Sequence, residues 1–185
     1  MTDPGTDAPA SPRAGAVRHF GRLQLLQLLG KSQRTMAWRV SDPLTGRDLM
    51  LVLPRVQPPE AAAGQRWQDT MRQAARLSHP QLAPVIEIGL QDGWPYAAYD
   101  LLDSATLAER VSANGLPGLE AAQLTAQVLS GLAYAHEGGL AHHDLQPFLL
   151  LVGENGALRV AGLCVASGMA TPDVDSARQA PAEPA

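Results

Sequence analysis

The sequence predicts an α+β fold, in which a small β-rich amino-terminal lobe with one helix is followed by a helical half. Three observations support this prediction. Residues 49–53 form a continuous apolar run, which is typical of a strand buried on both faces. Two later segments, 67–75 and 124–135, instead repeat apolar residues at helical spacing. The chain has 185 residues, 45% of them hydrophobic, which is enough for one sizeable core or a small pair of lobes.

The apolar run is bounded by residues that break strands. It reads LMLVL and lies between Gly-Arg-Asp at 46–48 and Pro54. A strand that is apolar on both faces belongs in the interior of a sheet. The preceding segment 42–46 (DPLTG) combines a proline that sets φ with a glycine that tolerates positive φ. We therefore predict a hairpin loop followed by a central strand.

Two amphipathic helices are predicted from the period of their apolar residues. The apolar positions of the first are Trp67, Met71, Ala74 and Ala75. Those of the second are Leu124, Val128, Leu132 and Ala135. The second helix should end at Gly138-Gly139, because a left-handed residue after a helix favours glycine.

Composition excludes several classes of function. The net charge is −4, so no basic surface indicates nucleic-acid binding. Cys164 is the only cysteine, which excludes an intramolecular disulfide framework. No apolar run has the length of a membrane span, and no apolar signal core follows Met1, so we expect a cytoplasmic protein. Residues 1–17 and 167–185, rich in proline and alanine, are expected to be disordered tails.

One loop carries the main functional signal. Residues 142–147 read HHDLQP and precede the apolar run 148–152, FLLLV. This pattern resembles the catalytic loop of protein kinases, HRDLKPxN followed by a strand. Other segments resemble parts of the same family in the correct order: 79–80 (HP), 94–102 (WPYAAYDLL), 106–110 (TLAER) and 127–136 (QVLSGLAYAH). The sequence thus resembles the bacterial Hanks-type, or eukaryotic-type, Ser/Thr protein kinase domain from about Phe20 to Ala166.

The resemblance implies a domain plan. It predicts a protein-kinase-like fold with a small antiparallel β N-lobe carrying helix αC, and a hinge, over residues 18–102. Residues 103–166 would form a truncated helical C-lobe with αD, αE, a catalytic-loop-like segment and strands β7 and β8 of the family. The activation segment, the APE motif and the later helices of the family have no counterpart in the sequence. Either another chain covers the exposed faces, the fold has adapted, or the protein is a truncated product.

The resemblance also assigns catalytic positions, and most of them have lost their chemistry. Asp144 occupies the position of the catalytic base. The expected strand lysine is Val52, and its αC glutamate partner is Thr70. The two expected magnesium ligands, the loop asparagine and the DFG aspartate, are Leu149 and Gly162, neither of which offers an oxygen ligand from its side chain.

The nucleotide pocket should be filled as well. By the resemblance its positions are Gly30, Ala37, Met50, Tyr99, Leu102 and Leu151. Gly30 is the one glycine kept of the family's GxGxxG loop, so the side chains of Ser32 and Thr35 occupy space that glycine leaves free. Met50 replaces the alanine that usually contacts adenine, and Tyr99 is a bulky gatekeeper. We expect the pocket to have become part of the core.

Several residues also have simpler interpretations. Asp144 is interpretable as a structural acid that binds the loop backbone, and His142 as a packed core imidazole. His136, His142, His143 and Asp144 invite a zinc site, but their spacing does not support one, and no metal is expected. Lys31, Arg34 and Arg55 are candidates to replace the missing lysine, with solvated charge as the simpler alternative.

We therefore expect a catalytically inactive, pseudokinase-like module that acts by binding a protein partner. Its predicted contact surfaces are αC near Trp67 and the uncovered face of αE. No cofactor is expected. One alternative is a divergent Ser/Thr kinase that uses Asp144 as base with ATP and magnesium, and another is a nucleotide-binding switch without transfer.

Overall fold

The computed structural model describes residues 18–101, 104–111 and 115–167. Its first part is a six-stranded antiparallel sheet with strand order β1-β2-β3-β4-β6-β5. The strands are β1 (Arg18–Phe20), β2 (Leu23–Lys31), β3 (Thr35–Asp42), β4 (Arg47–Pro54), β5 (Val85–Gln91) and β6 (Trp94–Asp100). Helix α1 (Ala61–Ala74) connects β4 to the second half of the sheet and contacts β5 and β6.

The apolar strand predicted at residues 49–53 is β4, and it lies in the interior of the sheet between β3 and β6. Met50 and Val52 belong to the buried cluster that includes residues of α1. Leu51 and its neighbours at 49 and 53 belong to a second cluster. The strand therefore separates two apolar layers, as its unbroken hydrophobic sequence predicted.

The predicted hairpin loop connects β3 to β4. Asp42 organises it, because its Oδ1 accepts the backbone N–H of Leu44 at 3.0 Å and its carbonyl accepts that of Gly46 at 2.8 Å. Gly46 has φ of 66°, in the left-handed region where glycine carries no steric cost. The local sequence is thus sufficient to explain this turn.

The second part contains two helices and a small sheet. Its elements are β7 (Ala105–Thr106), α2 (Leu107–Arg110), α3 (Gly118–Glu137), a 3-10 helix (Pro147–Leu149), β8 (Leu150–Val152) and β9 (Leu158–Val160). Strands β7, β8 and β9 pair antiparallel. The helical spacing predicted α3. The family resemblance alone indicated strands β8 and β9, and β7 was not predicted.

The helix ends follow local sequence. Thr106 and Glu109 form a capping box at the start of α2, which satisfies free backbone N–H groups. Helix α3 ends at Glu137, and Gly139 just beyond has φ of 74°, as predicted. Within the described residues, no helix has the length and apolar character required to cross a membrane.

The predicted tails lie outside the described residues, apart from Ser167 at the start of the second one. The predicted boundary between the lobes, at residues 102 and 103, also lies outside them. The domain limits therefore remain predictions.

Candidate functional site

Asp144 is hydrogen-bonded to the tip of the β2–β3 hairpin. Its carboxylate accepts the hydroxyl of Ser32 at 2.5 Å and the hydroxyl of Thr35 at 2.6 Å. The amide of Gln146 donates to its other oxygen at 2.9 Å. Asp144 is only 9% exposed and Thr35 is fully buried. We call this set of three hydrogen bonds the Asp144 latch, because it joins the segment before the 3-10 helix to a hairpin more than a hundred residues away.

The hairpin tip is built to present these hydroxyls. Backbone N–H groups of Arg34 and Thr35 both donate to Ser32 Oγ at 2.9 Å, a local bonding pattern typical of serine in turns. The Ser32 hydroxyl then has its proton free for Asp144. Asp144 thus has the structural hydrogen bonds that the simpler interpretation expected. Their donors, however, are side chains and not the loop backbone.

The latch also favours the ionised form of Asp144. Burial by itself raises the pKa of this carboxyl, since desolvation disfavours the charged form. The hydrogen bonds from Ser32, Thr35 and Gln146 oppose this effect, and the net result is a pKa below the ordinary value for aspartate. Asp144 is therefore an ionised carboxylate at neutral pH, with its oxygens occupied by the protein's own donors.

Phe148 fills the space under Gly30. A Cβ placed on Gly30 would lie 2.4 Å from Cγ of the Phe148 ring, which is too close for two carbon atoms that are not bonded to each other. Glycine at position 30 therefore serves the approach of an internal aromatic ring. Phe148 itself is buried, so the hairpin and the 3-10 helix are in direct apolar contact here.

Four of the six residues predicted to line a nucleotide pocket lie in the hydrophobic core. Ala37, Met50, Tyr99 and Leu151 all lie in one buried hydrophobic cluster. Met50 and Tyr99 are direct neighbours on the paired strands β4 and β6. The Tyr99 hydroxyl faces the Gly162 backbone, but has no hydrogen bond of normal geometry among the described residues, and burial raises its pKa. Leu102 lies outside the described residues.

The two predicted magnesium positions pack against each other. Gly162 has φ of 81°, and a Cβ on it would lie 3.1 Å from Cδ1 of Leu149. Leu149 is fully buried, and its carbonyl accepts the N–H of Ala161 at 2.8 Å. This apolar contact provides no oxygen ligands for a hard cation. The side chains at these two positions do not fit a magnesium ion bound to ATP, so we derive no catalytic step that uses one.

The predicted lysine and glutamate positions make no polar contact with each other. Val52 is fully buried in the core. Thr70 is half-buried on α1, and its hydroxyl donates to the carbonyl of Arg66 in the same helix at 3.1 Å. Arg55, a candidate to replace the lysine, is exposed, and its Nη1 donates to the carbonyl of Ser32 at 2.8 Å. The side chain of Arg55 therefore contacts the β2–β3 hairpin and lies outside the core cluster.

His142 is a core imidazole, as the simpler interpretation held. Its Nε2–H donates to the carbonyl of Ala161 at 2.8 Å, and its Nδ1 has no partner among the described residues. Burial lowers its pKa, so it is neutral at neutral pH. Across the described ranges, no group of three His, Cys, Asp or Glu side chains is arranged to hold a metal.

The side chain of Trp67 is not exposed on the predicted contact surface of αC, and that this helix contacts a partner stays a prediction. Trp67 is 2% exposed, and its indole N–H donates to the carbonyl of Val165 at 2.9 Å. The tryptophan ties α1 to the segment after β9. Its place in a helical apolar period is equally typical of a core residue, and burial decides between the two.

The sequence did not predict the contacts by which the β2–β3 hairpin covers Asp144 and Phe148. Phe148 follows Pro147 in a run of apolar residues, and nothing local pairs it with Gly30. Ser32 and Thr35 were expected to obstruct a loop, but not to bond Asp144. Both relationships join residues more than a hundred positions apart, which no local spacing can reveal.

A second feature is an apolar groove along α3, with a volume of about 370 Å³. It is lined by side chains of α3 and of β8 and β9, with one residue each from α2 and from the loops before α3 and before the 3-10 helix: Leu107, Leu116, Ala121, Leu124, Thr125, Val128, Leu129, Leu132, Leu145, Leu150 and Leu158. Leu129 is 61% exposed and Leu145 42%. We call it the α3 groove.

Comparison with known proteins shows which class of protein this chain is related to. The chain is 31% identical over 144 residues to the DNA damage-responsive serine/threonine-protein kinase RqkA of Deinococcus radiodurans, covering 76% of this chain and 21% of that protein. It is 24% identical over 156 residues to the serine/threonine-protein kinase PrkC of Bacillus subtilis, covering 83% and 24%. No protein-family model matches the chain.

Solved structures agree with the sequence relatives. The crystal structure of the Mycobacterium tuberculosis PknI kinase domain superposes with a TM-score of 0.61 and 26% identity, over 83% of this chain and 64% of that one. The chain thus spans about a quarter of the curated relatives and under two thirds of this kinase domain. Its homologues are bacterial Hanks-type Ser/Thr protein kinases, and its fold is the kinase-like α+β fold.

Proposed function

We propose that this chain is a catalytically inactive kinase-like module that acts through contact with another protein. The Asp144 latch is the observation that carries the proposal. The residue in the position of the catalytic base is held by Ser32 and Thr35 from the hairpin that, in the family, covers the nucleotide phosphates. A substrate hydroxyl or a phosphate would have to displace both donors to approach it.

The remaining site residues support the same proposal. Phosphoryl transfer depends on positioning and on neutralising the charge of the phosphates. Val52 has no charge to contribute, and the contact of Leu149 with Gly162 has no ligand for magnesium. Without the strand lysine and without both metal ligands, the main sources of that stabilisation are missing. Phosphate transfer with Asp144 as base is therefore the weaker alternative.

The α3 groove is the surface we propose for the protein partner. It is lined almost entirely by apolar side chains, and Leu129 projects from it into solvent. Contiguous exposed apolar surface of this kind marks interaction sites more often than chance. A partner that inserts an apolar helix face would bury Leu129 and Leu145 together.

Thermal unfolding of the purified chain with and without ATP tests the nucleotide part. Each protein sample is melted alone, with millimolar ATP and magnesium, and with ATP and EDTA. A ligand at a hundred times its dissociation constant adds about 2.7 kcal/mol to stability, which would raise the midpoint by several degrees. The proposal predicts an unchanged midpoint. A magnesium-dependent rise would support the kinase alternative, and a magnesium-independent rise would support a nucleotide-binding switch.

The partner surface is tested by Leu129→Lys with Ser130→Lys as the matched control. Both positions are exposed on α3, but Ser130 does not line the groove. Capture of a partner from the source cells should be lost with Leu129→Lys and kept with Ser130→Lys. Equal capture by both variants would exclude the α3 groove as the contact surface.

A further inference from the structure

The outer face of the six-stranded sheet, opposite α1, carries a second apolar groove of about 240 Å³. Three aromatic rings line it, those of Phe20, Trp38 and Trp94, above a floor formed by Leu51 and Leu53. The three aromatic side chains are only half-buried, although they pack on a buried cluster. We call this feature the outer groove.

The outer groove has a basic end. Met36 and Leu53 are paired residues at one end of it. Arg34 and Arg55 lie two residues further along the same backbone segments, and the N–H of Arg55 donates to the carbonyl of Arg34 at 2.7 Å. Both arginines lie just beyond the ends of β3 and β4, and this backbone bond continues the pairing of the two strands by one step. The guanidinium of Arg55 also donates to the carbonyl of Ser32 at 2.8 Å. Among the described residues neither of them forms an ion pair with a carboxylate.

We propose that residues 7–13 of this chain, with the sequence DAPASPR, bind in the outer groove. Pro9 and Pro12 would contact the aromatic rings, and the carboxylate of Asp7 would lie near Arg34 and Arg55. The proposal rests on the groove, its charge and its place beside β1, and it is independent of whether the chain is catalytically active.

The chain direction brings this segment to the groove. Arg18 pairs with Leu25, which pairs with Val40 on β3. Because β1 runs antiparallel to β2, the chain before Arg18 is directed toward the hairpin tip that carries Arg34.

Length is sufficient for the contact. Asp7 precedes Arg18 by eleven residues, which span about 34 Å as polyproline II at roughly 3.1 Å per residue. The path along β3 from Val40 to Arg34 is about 20 Å, and the three strand spacings from β1 to β4 add about 14 Å sideways. The resulting diagonal of about 25 Å lies within that reach.

The chemistry of the groove matches the segment. Proline-rich peptides dock in grooves lined by aromatic rings, because the polyproline II conformation costs little entropy on binding. The carboxylate of Asp7 complements two arginines that form no ion pair with any carboxylate in the described part of the chain. Covalent linkage supplies an effective concentration of the order of millimolar, so weak contacts suffice to occupy the groove.

Indole N–H signals in NMR spectra of the full chain test the proposal. The chain has three tryptophans, and two of them, Trp38 and Trp94, line the groove. The variant Asp7→Lys/Pro9→Ser/Pro12→Ser should shift both of these signals. Trp67, buried and bonded to Val165, should not move and reports that the fold is intact.

The matched control alters a similar segment elsewhere in the chain. Residues 180–184 read APAEP, close to APASP at 8–12, so Glu183→Lys/Pro181→Ser/Pro184→Ser tests segment identity. This control should leave Trp38 and Trp94 unshifted. Shifts caused by the control, or by neither variant, would overturn the proposal, as would shifts that depend on protein concentration, which indicate a second copy.

A synthetic peptide of residues 1–17 provides an independent readout. Added at millimolar concentration to the triple variant, it should restore the original positions of both indole signals. Peptide with the three substitutions should not. Acrylamide quenching of the same tryptophans should increase in the triple variant and decrease again with the peptide; unchanged quenching would contradict the proposal.

Discussion

The side chain of Leu149 packs directly against the α-carbon of Gly162, with only 3.1 Å available between Leu149 Cδ1 and a Cβ on Gly162. By the family resemblance, these two positions are the ones predicted to correspond to the metal ligands. Here they contribute to the core beside His142. The loss of both ligands is thus matched by a new apolar contact, and restoring one ligand alone should disrupt it.

Gly162→Asp should destabilise the protein. The substitution introduces a side chain at φ of 81° and against Leu149, and both effects are unfavourable. We expect a loss of about 1 to 3 kcal/mol from the backbone conformation, with a further loss from the close contact. Urea unfolding followed by circular dichroism measures it.

Gly46→Asp is the control for that change. Gly46 also has positive φ, 66°, but a Cβ there meets nothing within 4 Å. The difference in unfolding free energy between the two variants therefore removes the backbone contribution, and it reports the contact with Leu149 together with the burial of the new carboxylate at position 162. Equal losses would show that Leu149 does not resist a side chain at position 162.

The Asp144 latch should make stability depend on pH. The pKa of Asp144 is lowered in the folded protein, so its contribution to stability is present above the unfolded pKa of about 3.9. It is lost as pH falls through the folded pKa. Asp144→Asn should therefore cost stability at pH 7, by about 1.5 to 3 kcal/mol for hydrogen bonds to a charged group, and much less at pH 3.

The hydroxyl donors provide the control for the pH effect. In a Ser32→Ala/Thr35→Val background, Asp144→Asn should cost less at pH 7, because the carboxylate has already lost two donors. Urea unfolding of all four proteins at several pH values gives the coupling free energy. Additive effects of the substitutions would mean that the hydroxyls do not stabilise the ionised carboxylate.

Gly30 and Phe148 should be strongly coupled. Gly30→Ala would force Cβ into the Phe148 ring and destabilise the fold. Phe148→Ala should cost about 3 to 5 kcal/mol, as for other buried phenylalanines. In the double variant the new methyl group enters the space left by the ring. The double variant should therefore lose less unfolding free energy than the two single variants lose together. Additive losses would contradict a direct contact between the two residues.

Trp67 should hold the segment after β9 on α1. Trp67→Phe keeps most of the apolar area but removes the indole N–H that donates to Val165. Leaving that carbonyl without its donor should cost about 1 to 3 kcal/mol, and hydrogen exchange should accelerate at residues 163–167. Trp38→Phe, in the half-buried outer groove, should leave exchange there unchanged.

Much of the fold could be predicted from local sequence. The apolar run at 49–53 indicated β4, and the glycine at 46 its hairpin, because strand burial and turn chemistry depend on neighbouring residues. Helix α3 was predicted for the same reason, from a period that extends over several turns. The short strands β7, β8 and β9 have two or three residues each, too few for a period to be recognised.

Through the family resemblance, the sequence by itself predicted which side-chain groups are missing: the side chains of Val52, Leu149 and Gly162 carry no charge and no oxygen atom. Only the tertiary structure decided what replaced them. The bond from Ser32 to Asp144 and the packing of Phe148 on Gly30 join distant segments, and such contacts depend on how two layers meet in space. The same reason decided the role of Trp67, since a helical period gives the face of a residue but not whether that face is covered.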